Sequence, residues 1–390
     1  MENIAVIFGG RSVEHEVSVI TGMQVVENMD RTKFNPIPIL ITKDGKFLSG
    51  EGLKDFGNIK HKRFENTQEV FFKPIYKDFN LYTQVEEKGG LFSKKTESTQ
   101  IYKKIDGVFI ALHGTFGEDG CIQGLFELIG IPYIGCGVSA AAVGMDKVLM
   151  KKVFGSFNIP MTDYFYFYRD GFNEDQIIEK AEKIGYPLFV KPANLGSSVG
   201  ISKAKDRASF IEAIEVAKNY DRKILVEKAV ESPREINCAV LGYENDLITS
   251  LCEEPLGWKD FLSYQDKYMG SGKTKSGGGM KNQEKNLPAK ISQEMKEEIE
   301  NLAKKAFCAI DGNGVARVDF LVDKDKVYVN EINTLPGSIS FYLFEPMGIK
   351  MTDLITKLIE FGKKRNGQRN KNIYSYDSDL FNKTAYGAKL

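Results

Sequence analysis

The chain opens on an apolar run, Ile4-Ala5-Val6-Ile7-Phe8, that stops at Gly9-Gly10 and gives way to a stretch where Val19, Met23 and Val26 recur at helical spacing. A buried strand, a glycine turn and an amphipathic helix in that order predict the first unit of a doubly wound α/β domain. A second strand follows at 36–41, with an Asp44-Gly45 turn behind it. Periodicity then fades, and residues 50–104 read as a polar insertion with room for one hairpin. It returns in Gly107-Val108-Phe109-Ile110-Ala111-Leu112, a buried-strand run ending at His113-Gly114. A helix is expected near 121–129 and, past Ile134-Gly135, a further one carrying Met145-Asp146-Lys147.

From 158 to 227 strand and helix patterns alternate, with Leu188-Phe189-Val190-Lys191 and Lys223-Ile224-Leu225-Val226-Glu227 as the clearest strands. Residues 255–286 hold Gly270, Gly272 and Gly277-Gly278-Gly279 without a periodic pattern, a length that suits a functional lid better than a plain connector. A helix is expected next, because Ile291, Met295, Ile299, Leu302 and Ala306 fall on one face. The polar C-terminal stretch gathers Lys363, Lys364, Arg365, Arg369 and Lys371, and predicts a solvated tail packing back through Tyr374 and Tyr376. These shifts divide the chain into an N-terminal domain 1–136, a central unit 137–227, a C-terminal unit 228–366 and a tail 367–390.

Composition acts mainly by exclusion. With 390 residues, 42% of them hydrophobic and 27% charged, the chain can build more than one core. Its 53 basic residues balance 53 acidic ones, which argues against broad nucleic-acid binding, so chemistry on anions must come from local clusters. No apolar run reaches the ~18 residues that suggest a membrane span, and Met1-Glu2-Asn3 leads straight into the first strand without a secretory pattern. A cytoplasmic location is expected. The five cysteines contain no C-x-x-C pair and read as reduced, mostly buried thiols. Only His15, His61 and His113 are present, which rules out a histidine-rich metal centre.

The most informative segment is Gly314-Val315-Ala316-Arg317-Val318-Asp319-Phe320-Leu321-Val322, followed by Asp323-Lys324-Asp325 and Val327-Tyr328-Val329-Asn330-Glu331-Ile332-Asn333. Side chains alternate along a strand, so Arg317 and Asp319 share one face of the expected hairpin, as do Glu331 and Asn333. If the register sets the two pairs side by side, three oxygen ligands converge beside an arginine, a donor set suited to Mg²⁺ held jointly with phosphates. Pro336-Gly337 directly after them places backbone N–H groups where an oxyanion could develop.

Upstream, Lys191-Pro192 with Gly196-Ser197-Ser198-Val199-Gly200 is a strand ending in a lysine, then a loop of small residues that lets amides and hydroxyls approach phosphate. Glu227-Lys228 and Glu235 could supply nucleoside contacts. Two motifs mislead: Gly272-Lys273-Thr274 lacks the earlier glycine of a Walker A loop, and His15-Glu16 lacks the second histidine of a zincin helix.

Together with Ser12, Glu14, Glu16-Val17-Ser18, Gly117-Glu118-Asp119-Gly120 and Gln123-Gly124, these segments resemble the D-alanine-D-alanine ligases of the ATP-grasp superfamily, from Gly9 to about Phe361. The resemblance implies an α/β and α+β fold of three domains: a Rossmann-like N-terminal domain and two ATP-grasp units that grip ATP between them. It implies that Lys147 and Lys191 contact the phosphates under a loop carrying Ser197 and Ser198. Glu227, Lys228, Val230, Glu235, Lys267 and Asn330 would complete the nucleotide site. Asp319, Glu331 and Asn333 would bind two Mg²⁺ ions, with Mn²⁺ able to replace them. Glu14 would hold the ammonium of the first D-alanine with His113 nearby, and Arg317 with the Gly337 N–H would stabilise the oxyanion formed when the second D-alanine attacks an acyl phosphate. A homodimer is usual for such enzymes, and neither nucleic acid nor membrane is an expected partner.

Asp266-Lys267-Tyr268 in the long loop falls where D-Ala-D-Ala enzymes carry Lys-Tyr, so the resemblance makes Tyr268 a catalytic and acceptor-side residue favouring an amine. One departure stands out. Where the family commonly places a serine and a leucine for the acceptor carboxylate, this chain has Tyr342 and Leu343. Recognition could therefore fall to the Tyr342 hydroxyl, to Ser338 or to Ser340, which leaves D-serine or another small D-amino acid open as acceptor. A catalytically silent nucleotide-binding homologue is the reading from another class.

Overall fold

In a computed structural model of the protein, residues 1–87, 96–256 and 285–378 are described. The first sheet has eight strands: β1 (Glu2–Gly9), β2 (Phe34–Ile41), β3 (Phe47–Ser49), β4 (Gln68–Phe72), β5 (Asn80–Glu87), β6 (Thr96–Lys104), β7 (Gly107–Ile110) and β8 (Tyr133–Ile134). Their spatial order is β6-β5-β4-β3-β2-β1-β7-β8. β2, β1, β7 and β8 run parallel, as an α/β unit requires, while β3 to β6 continue the sheet antiparallel. Where a polar insertion with room for one hairpin was expected, the described part of 50–104 adds three strands to this sheet, β4 and the antiparallel pair β5 and β6. Their weak periodicity follows from strands only partly covered on their faces.

The helix His15–Asn28 lies against β1 so closely that a Cβ on Gly22 would sit 2.4 Å from Phe8 Cβ. The single helix expected through Met145-Asp146-Lys147 is two, Val138–Met145 and Lys147–Ser156. Asp146 separates them because its carboxylate accepts the N–H groups of Val148 and Leu149 at 3.0 and 3.1 Å, capping the second helix.

A second sheet, ordered β11-β10-β12-β9, contains β9 (Tyr164–Tyr168), β10 (Leu188–Pro192), β11 (Ser202–Ala204) and β12 (Lys223–Lys228). A third, ordered β14-β13-β17-β18, contains β13 (Arg234–Tyr243), β14 (Asp246–Thr249), β17 (Asn313–Asp323) and β18 (Lys326–Asn333). Two short strands, β15 (Glu254–Pro255) and β16 (Lys285–Asn286), pair at either end of the stretch that includes Lys267 and Tyr268, which lies outside the described residues. The helix Gln293–Ala309 packs Ile299, Ala303, Ala306 and Phe307 onto the third sheet.

One core joins the first and third sheets. Ile4, Val6 and Phe8 pack in the same cluster as Ala239, Leu241 and Val315, with Leu354, Ile355 and Leu358 of the helix Met351–Arg369 between them. That helix also corrects the expected solvated tail: it runs to Arg369, and Gly362 and Arg365 are buried in it. Tyr374 and Tyr376 are 66% and 83% exposed; the Tyr374 hydroxyl donates to the Arg369 carbonyl at 3.0 Å at the end of that helix, and Tyr376 stands in solvent. The second sheet has a core of its own, built by Phe167, Leu188, Val190, Phe210 and Val226.

Asp146 also pairs with Lys223, and both are almost fully buried. Replacing Asp146 by Ala removes a helix cap and leaves a buried ammonium unpaired, a loss of about 3–5 kcal/mol. Urea unfolding is the measurement, and the double variant D146A/K223M is expected to recover part of the loss.

Candidate active site

The site grows from the β17–β18 hairpin. Its register sets Arg317 opposite Asn333 and Asp319 opposite Glu331, and the ladder then slips between Asp319 and Phe320. Because Phe320 pairs with Val329, Asn330 is the extra residue of a bulge directly beside the carboxylates. Arg317 clasps Asp319 through Nε–Oδ1 at 2.6 Å and Nη2–Oδ2 at 2.8 Å, and Asn333 Nδ2 donates to Oδ2 at 3.0 Å. The convergence expected from alternation is thus present.

The donor set suits a hard divalent cation: two carboxylates and one amide oxygen on one face of a hairpin. Among the described residues no group of three His, Cys, Asp or Glu side chains could hold a metal. Asp319 is here engaged by Arg317 and Asn333, so a cation would share its oxygens with them.

Lys147 reaches from the central region to this hairpin, donating to the Leu195 carbonyl at 2.8 Å and lying 3.8 Å from Glu331 Oε2. Lys191, at the end of β10, forms an ion pair with Glu227 of β12, and Lys151 approaches the same carboxylate at 3.1 Å. Burial alone would raise the Glu227 pKa, but the two lysines outweigh it and hold the group down at about 2. Glu227 is thus enclosed between two lysines, at 3% exposure, rather than presented as an open nucleoside contact. Lys151 was missed by sequence reasoning. The only signal was its position one helical turn after Lys147.

From the first sheet, Glu14 precedes the helix His15–Asn28 and accepts a hydrogen bond from the Ser197 hydroxyl across the cleft. Two glycines make that approach possible: a Cβ on Gly114 or Gly196 would lie 2.6 or 2.8 Å from Glu14 Oε2. Ser197 and Ser198 both take left-handed φ values, 54° and 60°, in the loop that reaches Glu14. Glu118 accepts the Gly114 N–H at 2.7 Å, and burial together with the nearby Glu14 pushes its carboxyl up to about 8. It too was missed as a functional group, although its motif was read.

His113 shares a 2.8 Å hydrogen bond with Thr21 Oγ1, which also accepts the Ser338 N–H at 3.1 Å. Burial lowers the His113 pKa to about 4, only partly offset by a backbone contact at Leu335, so the ring is neutral near pH 7. After Gly337 the chain makes a left-handed turn in which Ser338, Ile339 and Ser340 all have φ near 50°.

The remaining expected residues divide. The Tyr342 hydroxyl donates to Glu253 Oε2 at 3.1 Å, and burial pushes its phenol up. Leu343 is fully buried in the core shared by the first and third sheets, so its side chain is a packing group. Lys228 Nζ is held by the carbonyls of Gly185 and Tyr186 at 3.0 and 2.9 Å, facing the β10 side rather than the hairpin. Val230 and Glu235 are half-buried, near the start of the β12–β13 connection and on β13. Lys267 and Tyr268 lie outside the described residues.

This arrangement of three sheets around paired lysines and a carboxylate hairpin is that of the ATP-grasp ligases, with a Rossmann-like domain in front of it. Residues 3–136 match the family model described as D-ala D-ala ligase N-terminus, and residues 153–360 match D-ala D-ala ligase C-terminus. A D-alanine--D-alanine ligase of Acetivibrio thermocellus is 43% identical over 389 residues, covering 96% of this chain and 99% of that one. One from Thermosipho africanus is 38% identical and covers 98% of each. Among solved structures, the D-alanine-D-alanine ligase of Coxiella burnetii superposes with a TM-score of 0.78 at 27% identity, covering 95% and 96% of the two chains. The VanG D-Ala:D-Ser ligase of Enterococcus faecalis superposes at 0.77 with 31% identity, covering 93% and 99%. The chain belongs to the D-alanine-D-alanine ligase family.

The two shifted carboxyls give opposite pH signatures. Glu227 is lowered from 4.5 to about 2, so its contribution is present above pH 4.5 and is lost as pH falls toward 2. Glu118 is raised from 4.5 to about 8, so the folded state binds more proton than the unfolded one between those values, and stability falls as pH rises through them. Urea unfolding across pH is expected to lose the acid slope in E227Q and the alkaline slope in E118Q.

Proposed function

We propose that the protein joins two D-alanines in an ATP-dependent reaction that passes through an acyl phosphate. The observation that carries this reading is the convergence, within one cleft, of Glu14 and Ser197 with Lys147 and the Arg317-Asp319-Glu331-Asn333 hairpin, in a chain so similar to ligases of that name.

Glu14 offers a half-buried carboxylate for the ammonium of the first amino acid, and the Ser197 hydroxyl holds it in place. That amino acid's carboxylate attacks the γ-phosphorus of ATP, and Lys147 and Lys191 offset the charge spreading over the transferring oxygens. Magnesium, held by Asp319, Glu331 and Asn333, would supply further charge neutralisation at the phosphates. The second amine attacks the acyl carbon, inorganic phosphate leaves, and Arg317 with the Gly337 N–H stabilises the tetrahedral oxyanion. Neutral His113 fixes Thr21 and through it the Ser338 backbone, keeping that turn in register with the hairpin. The dipeptide serves peptidoglycan precursor synthesis in the cytoplasm, and the working assembly is a homodimer.

D-serine is the alternative acceptor, favoured by the half-buried Tyr342 hydroxyl at the acceptor side and by the likeness to a D-Ala:D-Ser ligase. Phosphate release from ATP is expected to require both D-alanine and Mg²⁺, with the product identified by mass in D-alanine and D-serine competition. Release that ignores D-alanine would reject the ligase reading. E331Q is expected to lose about a hundredfold or more in kcat while keeping its circular dichroism spectrum.

A further inference from the structure

Two thiols in the third sheet take no part in the reaction above. β13 pairs with the chain at 249–253 on both sides of a bulge. Val240 pairs with Thr249, and Ser250 N–H donates to the Ala239 carbonyl at 2.8 Å. Beyond Leu251, Asn237 and Glu253 exchange both backbone hydrogen bonds, at 2.8 and 2.9 Å. Cys238 and Cys252 are the residues one step inward from that doubly bonded pair, each on its own strand. The position next to such a pair is the non-hydrogen-bonded one, with Cα atoms about 4.5 Å apart, inside the ~4.4–6.8 Å range that disulfides span.

Both side chains point into the same core, with Ile236, Val240 and Phe307, and both thiols are free. The Cys252 side chain, ahead of burial, holds the Cys238 thiol well above its usual range, and the Cys238 Sγ also lies 3.9 Å from the Ser250 carbonyl on the facing chain. The other three cysteines have no such partner across a strand: Cys121 and Cys308 are exposed on helices, and Cys136 faces the Asn313 carbonyl at 3.4 Å.

We propose that Cys238 and Cys252 form a reversible intramolecular disulfide under oxidising conditions. With a peroxide as oxidant, the two S–H bonds break and one S–S bond forms. The two electrons and two protons released reduce the peroxide O–O bond to two molecules of water. The link ties β13, whose Asn237 and Ala239 stand opposite Asp319 and Arg317, to the chain that carries Glu253 beneath Tyr342. Attack proceeds through a thiolate, so the reaction quickens as pH rises.

The test treats the folded full-length chain with hydrogen peroxide, alkylates the remaining thiols in denaturant and maps the cysteines by peptide mass. The expected result is a Cys238–Cys252 peptide pair two hydrogens lighter, restored by dithiothreitol, with an unfolding midpoint raised by about 4 °C or more over the reduced protein. Both signals should vanish in C252A, and the wild-type map decides the matter alone if that variant does not fold. Full alkylation of Cys238 and Cys252 in protein whose Cys121 and Cys308 have oxidised overturns the proposal. So does a link from either to another cysteine. No readout depends on ligase activity, so this outcome and that of the functional reading are independent.

Discussion

The register of β17 is the constraint on which the site depends. Hydrogen-bonded to β13 on one side and β18 on the other, it sets Arg317 beside Asn333 and Asp319 beside Glu331. A slip of β17 by one residue would send Arg317 and Asp319 to the opposite face, away from Glu331 and Asn333, and put Ala316, Val318 and Phe320 into the cleft. The apolar face resists that slip, because those three side chains are fully buried under the helix Gln293–Ala309. Packing on one side of the sheet thereby holds the chemistry on the other, and the bulge at Asn330 is tolerated because it falls after the last functional pair.

Charge is arranged by the same logic of enclosure. Lysines that would be costly to bury alone are buried against carboxylates: Lys191 and Lys151 against Glu227, Lys223 against Asp146. A chain of formal charge zero thus concentrates both signs at its centre. Glu118, buried with the like charge of Glu14 nearby, is the exception, and burial pushes its carboxyl up to about 8.

Local pattern made the hairpin, β1, its helix and the β10 and β12 strands legible, because each is a strong periodic run bounded by glycine or a turn. It was weaker where tertiary pairing decides. β4 to β6 alternate poorly, yet they extend the first sheet, and Asp146 splits a helix that apolar spacing alone carries through. At the site, Arg317, Asp319, Glu331 and Asn333 followed from alternation within one segment. Glu227 came with the wrong neighbours, since its partner Lys151 lies 76 positions away and only the folded chain brings them together. Leu343 was carried over by family likeness, and its side chain packs in the core shared by the first and third sheets.

The core shared by the first and third sheets has a mechanical consequence. Ile4, Val6 and Phe8 cluster with Ala239, Leu241 and Val315 through the helix Met351–Arg369, so separating those two sheets would expose a large apolar surface. The second sheet keeps its own core; its loop meets the first domain through Ser197 with Glu14, and Lys223 and Glu227 join it to the helix Lys147–Ser156 through ion pairs with Asp146 and Lys151. Parting the second sheet from the base formed by the other two would therefore expose less apolar surface than parting those two from each other, but it would break the Glu14–Ser197 latch and strain the buried Lys223–Asp146 pair.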